Sequence, residues 1–158
     1  MQSRTHKTTL FICKSALVAA IYTALTMALA PISFGLTQVR IAEAMSVLPA
    51  FGTYGIAGLF IGCALSNLLG GFGVLDVVLG SLATLIAAVL ARKLRKYPYL
   101  IPLPAVVVNA FMVGYVLHVA LGTPYLLAFG TLFVEQAVAC YALGLPLYYL
   151  LGRVLPKQ

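Results

Sequence analysis

Acidic residues are nearly absent from this chain: three in 158 residues, against ten Lys and Arg. Charged residues of both signs make up only 8%, and Trp is missing altogether. A soluble domain carries about 25% charged residues, so this chain cannot cover a water-facing surface. A soluble fold is excluded. The two His are far apart in sequence, and neither a GxxxxGK[ST] loop, an HExxH helix nor a serine–histidine–acid set occurs. Those absences remove a phosphate cradle for ATP, a zinc centre and the usual nucleophilic catalysis. Cys13, Cys63 and Cys140 stand far apart in apolar sequence. They fit no metal-ligand spacing and no disulfide framework, and read as small buried apolar residues. No internal repeat is visible, which leaves the inverted-repeat design of many secondary transporters without support.

What is there is hydrocarbon. The chain is 63% hydrophobic with a mean hydropathy of +1.07, and its length allows one domain. The expectation is an all-α integral membrane protein, a single transmembrane domain over 1–158. Its six spans fall at roughly 14–34, 41–52, 54–70, 74–92, 101–121 and 125–152. Residues 1–9 read as a short solvated tail. Ala28-Leu29-Ala30 imitates a signal-peptide cleavage site, but Pro31 follows directly, so the first segment is read as a retained helix. The second span is the doubtful one, being barely long enough for about 30 Å of hydrocarbon.

Charge parity decides it. Arg4, Lys7 and Lys14 precede span 1, Arg92, Lys93, Arg95 and Lys96 follow span 4, and Arg153 and Lys157 end the chain. With the second span counted, these groups share one side, as the positive-inside rule requires of a cytoplasmic face. Both termini are then cytoplasmic, and Tyr97, Tyr99, Tyr148 and Tyr149 fall near the inner interface. The net charge of +7 thus belongs to a membrane surface and not to nucleic acid.

The polar residues inside the spans carry the functional signal. This topology puts Arg40 and Glu43 at the outer end of helix 2, Asn67 one turn below the outer end of helix 3, and Asp76 just inside helix 4. His118 lies near the outer end of helix 5, and Asn109 nearer its middle. Glu135 is about ten residues into helix 6, which is roughly 15 Å deep at 1.5 Å per residue. A carboxylate at that depth costs about 2.5–3.5 kcal/mol on insertion scales and needs a cavity or a partner. Five helices would then supply polar groups to one outward-opening pocket: a binding site, not a pore. Plainer readings stand beside this one. Arg40 and Glu43 sit at i and i+3 and can pair with each other. Asp76 can complement a helix dipole, and Asn67 and Asn109 can bond neighbouring helices. His118 suits the interface, and Gln136 suits packing. Helix 1 carries Ala16, Ala20, Ala24 and Ala28 on one smooth face, for packing within this bundle or against a separate membrane subunit.

The segments QVRIAEAMSVLP at 38–49, GLFIGCALSNLLGG at 58–71, LDVVLGSLATL at 75–85 and VVNAFMVG at 107–114, with the Glu135–Pro146 stretch ending CYALGLP, resemble a known family. They look like the S component, the substrate-binding subunit, of an energy-coupling factor (ECF) transporter, of the QueT-type queuosine-precursor group. That resemblance implies a six-helix bundle that captures a 7-deazaguanine (preQ1, preQ0 or queuine) from outside, with no cofactor, no metal and no enzyme activity of its own. It implies as partners a membrane coupling subunit, met through Ala16, Ala20 and Ala24, and two cytoplasmic ATPases. Arg40, Glu43, Asn67, Asp76, Asn109 and Glu135 would bind the substrate. Glu135 would take the N1–H and amine edge, and Asn109 or Asn67 the carbonyl. Asp76 or Glu43 would hold a cationic aminomethyl group. Phe34 and Tyr115 would be stacking surfaces, and the 31–40 loop with Gly35 a lid. The alternatives are an S component for riboflavin, thiamine or another vitamin, a self-contained carrier or channel, and a membrane enzyme using Asp76 and Glu135.

Overall fold

The computed structural model describes residues 2–33, 40–71 and 73–154. The proposed lid, with Phe34 and Gly35, lies largely outside them. Every regular element among the described residues is helical. We number them α1 (Gln2–Ala28), α2 (Ile41–Ala50), α3 (Thr53–Gly70), α4 (residues 74–93), α5 (Leu103–Leu121) and α6 (Tyr125–Gly152). A short helical turn, Ala30–Ser33, follows α1. Four segments are long and apolar enough to cross a membrane: Thr5–Ala28, Thr53–Gly70, Pro98–Leu121 and Tyr125–Gly152. α1 begins at Gln2, so the helix takes in the stretch expected to be a solvated tail.

α1 and α3 run parallel in close contact. Ser15, Val18, Ala19, Tyr22 and Thr26 form the buried face of α1, at the i, i+3, i+4 spacing of one helix side. Glycines on α3 receive it: a Cβ on Gly58 would stand 2.6 Å from the Val18 Cβ, and one on Gly62 2.9 Å from the Tyr22 Cβ. Backbone approach of this kind is how helices associate where no hydrophobic gradient drives them. The alanine stripe of α1 plays no part in that seam. Ala16, Ala20 and Ala24 are exposed on the opposite side.

Two parallel helices joined in sequence require a return path, and α2 supplies it. Arg40, at its start, donates from Nε to the carbonyl of Ser33, in the helical turn that follows α1 (3.2 Å). Near its other end, the Pro49 carbonyl accepts from Arg92 of α4 (3.1 Å). The return is a 3₁₀ helix of 10 residues, with Ala42 through Ala50 all buried. At about 2.0 Å rise per residue it covers roughly 20 Å, where an α-helix would cover about 15 Å. α6 closes over it at Gly144, whose Cβ would lie 3.1 Å from the Ala44 carbonyl oxygen.

Two further helices depart from α geometry. α4 opens with a π-helical stretch, Asp76–Gly80, and α6 contains another, Val138–Leu143. Wide turns of this sort are uncommon and are frequent at functional sites. Both flank the same buried spot.

Candidate functional site

The polar side chains of the interior gather where α2, α4, α5 and α6 meet. Three residues per turn bring Arg40, Glu43 and Ser46 of the α2 segment into line, since i and i+3 eclipse in a 3₁₀ helix. Glu43, 3% exposed, accepts a 2.6 Å hydrogen bond from the Tyr22 hydroxyl of α1, and Asn109 of α5 faces the same carboxylate. The Arg40 guanidinium lies 3.8 Å from an Asp76 oxygen and 3.9 Å from the Cys63 sulfur. The ion pair found for Arg40 thus reaches across to α4.

Asn67 of α3 locks the start of α4. Its Nδ2 donates to the Asp76 carbonyl oxygen at 2.9 Å. Gly80, at the end of the π-helical stretch, leaves the space that amide needs, because a Cβ there would sit 2.5 Å from Asn67 Nδ2. Among the described residues, neither Asp76 carboxylate oxygen and not the Asn67 side-chain carbonyl has a hydrogen-bond donor. Buried acceptors left this way cost about 1–3 kcal/mol each.

Arg40, Glu43, Gly80, Thr84, Asn109, Val113 and Gln136 enclose a cavity of about 10 Å³. That is the room of one water molecule, far below the roughly 300–1,000 Å³ of small-molecule pockets. The residues are assembled; the space is closed.

Of the six residues expected at a common site, Arg40, Glu43 and Asn109 line this cavity, and Asn67 and Asp76 stand behind Arg40 and Gly80. Glu135 is elsewhere. It is half-buried in a shallow hollow on the flank of α6 with Leu126, Leu127, Gly130, Thr131 and Val134. Consecutive helical residues point about 100° apart, so only one of the pair at 135–136 can face inward. That one is Gln136, 4% exposed. Tyr115 and His118 are exposed on α5, the His118 Nδ1 lying 2.7 Å from the Thr123 carbonyl oxygen. Tyr22, Gly80 and Thr84 were not foreseen as site residues, and only Tyr22, a phenol in mid-span, carries a sequence signal strong enough to be noticed.

Residues 12–153 match the family model of the QueT transporter. The chain belongs to the QueT transporter family. A QueT relative, the queuosine precursor transporter of Lactococcus lactis subsp. cremoris (strain MG1363), is 41% identical over 73 residues. That stretch is 45% of this chain and 43% of the relative, so the match spans less than half of the relative's length. No solved structure matches this member of the family.

Proposed function

We propose that this QueT-family chain is the substrate-specificity subunit of an ECF importer and binds a 7-deazaguanine. The observation that carries the reading is the meeting of Arg40, Glu43, Asp76, Asn109 and Gln136, contributed by four helices and each nine-tenths buried or more. Family membership supports transport, and the relative's name supports the cargo.

In this reading the bundle opens by parting the walls around Glu43, and the base enters edge-on. Glu43 accepts the adjacent N1–H and exocyclic amine donors, because one carboxylate has two acceptor oxygens in a plane. This places on Glu43 the role that the sequence suggested for Glu135. Asn109 and Gln136 each give and accept, and so match the carbonyl and the ring edge. Asp76, whose oxygens lack donors among the described residues, takes a cationic aminomethyl group if the ligand is preQ1. The six helices span a bacterial plasma membrane with both termini inside. Ala16, Ala20 and Ala24, exposed on α1, meet the coupling subunit, which carries two ATPases.

Calorimetry with preQ1 and purified protein tests the site. Each lost hydrogen bond to a buried charge is worth about 1.5–3 kcal/mol, or roughly 10- to 150-fold in affinity. Glu43→Gln should weaken binding by that factor and Gln136→Ala by somewhat less, while Glu135→Gln leaves it within about twofold. Wild-type protein that binds no 7-deazaguanine defeats the cargo assignment. Uptake into ATP-free vesicles by this chain alone defeats the ECF assignment.

A further inference from the structure

A second feature of the bundle is built of chemistry opposite to that of the polar cavity. Along the side where α1 faces the last turns of α6, an apolar trough of about 460 Å³ runs over α2. Leu17, Ile21 and Leu25 form one wall, Leu147 and Leu151 the other, and Met45 the floor. At one end the trough reaches Lys14 and Tyr54, and there a second hollow of about 510 Å³ begins, bounded by Lys7, Lys14 and Thr53. The Lys14 ammonium is held over the Tyr54 ring, 5.2 Å from its centroid. So a hydrocarbon channel opens into a mouth lined, among the described residues, by two cations and no carboxylate.

We propose that this trough and mouth are a binding site for one anionic phospholipid, with an acyl chain in the trough and the phosphate between Lys7 and Lys14. Dimensions favour it. From Lys14 to Leu25 is about 16 Å along α1, close to half of a hydrocarbon core about 30 Å thick, which is the depth of one leaflet. Charge favours it too. Anionic lipids concentrate on the cytoplasmic leaflet and attract lysines there, and Lys7 and Lys14 belong to the basic end of the bundle. The bound chain would fill the gap between α1 and α6, which makes this lipid a wedge between the two helices.

Native mass spectrometry of the full chain, released from mild detergent, tests this with synthetic phosphatidylglycerol and phosphatidylcholine of identical acyl chains. Wild-type protein should hold one phosphatidylglycerol with at least tenfold preference over phosphatidylcholine. The Lys7→Gln/Lys14→Gln double variant should lose that preference to within twofold, and Ile21→Trp, which fills the trough, should lose both lipids. Lys93→Gln/Lys96→Gln, with charges outside the mouth, should match wild type. A cooperative melt in each variant shows that it is folded, and this readout does not involve 7-deazaguanine, so failure here is separable from failure of the transport reading. Equal retention of the two lipids by wild type overturns the proposal, as does a phosphatidylglycerol adduct that survives Ile21→Trp. A chain dimer that Ile21→Trp abolishes would give the trough to a second copy instead.

Discussion

A single hydrogen bond joins the packing helix α1 to the polar cavity. Tyr22 is fully buried and donates to Glu43 at 2.6 Å. Tyr22→Phe keeps the ring and removes the donor, leaving a buried carboxylate short of a partner at a cost of about 1.5–3 kcal/mol. A chain of this size loses about 2–4 °C of Tm per kcal/mol, so a melt in detergent should fall by several degrees; an unchanged melt would mean the bond carries no weight. Gly80 gives a sharper test. Its Cβ position lies 2.5 Å from Asn67 Nδ2, so Gly80→Ala should drive that amide off the Asp76 carbonyl. In an Asn67→Ala background the same methyl keeps only an ordinary contact with Asp76 Oδ1 at 3.6 Å, and the two changes should couple by about 1 kcal/mol or more. Strict additivity in the melts would refute this contact. At this scale the sequence was partly legible. Rarity singles out buried polar residues, so Arg40, Glu43, Asn67, Asp76 and Asn109 stand out in apolar text. Choosing between Glu135 and Gln136 needs the facing of α6, and in a membrane helix both faces are apolar, so periodicity does not mark it.

Helices announce themselves by hydropathy, but their internal geometry does not. Nothing in IAEAMSVLPA distinguishes a 3₁₀ helix from an α-helix except Pro49, which lacks an N–H. The 3₁₀ form wins because α2 must return the chain along a bundle with few residues, and because burial on every side rewards its slimness. The π-helical stretches are hidden for the same reason: they answer to neighbours, Asn67 beside Asp76–Gly80 and α2 beside Val138–Leu143. α1 offers the contrast that tests element packing. Gly58→Leu drives side-chain atoms into Val18, where even a Cβ stands at 2.6 Å. It should cost about 1–3 kcal/mol or more and lower the yield of folded protein from membranes. Ala20→Leu points to the exposed side and should leave the melt within about 1 °C while reducing co-purification of an ATPase module. If Ala20→Leu melts as low as Gly58→Leu, the stripe is an internal packing face after all.

Across the whole molecule, the 10 residues of α2 fall short of the roughly 30 Å that a lipid-wetted crossing needs. That length applies to helices wetted by lipid, whose backbone has no other shelter. α2 is enclosed by α1, α3, α4 and α6, so its ends need reach only as far as buried polar partners do. At one end Arg40 meets Ser33 and Asp76; at the other Pro49 meets Arg92. Those contacts put Arg92 and the neighbourhood of Lys14 and Tyr54 at one end of the bundle and Asp76 at the other, the same partition that charge parity demands. We therefore expect Val74 and Lys96, at opposite ends of α4, to label from opposite sides. Cys63 and Cys140 are 1% and 0% exposed, so replacing Cys13 alone gives a quiet background. A membrane-impermeant maleimide on intact cells should modify Val74→Cys at once and Lys96→Cys only after permeabilisation. With the N-terminus inside, this order requires that α2 carry the chain across. The reverse order would mean that α2 leaves the chain on the side where α1 delivered it, and the end of α4 that carries Asp76 would face the cytoplasm instead.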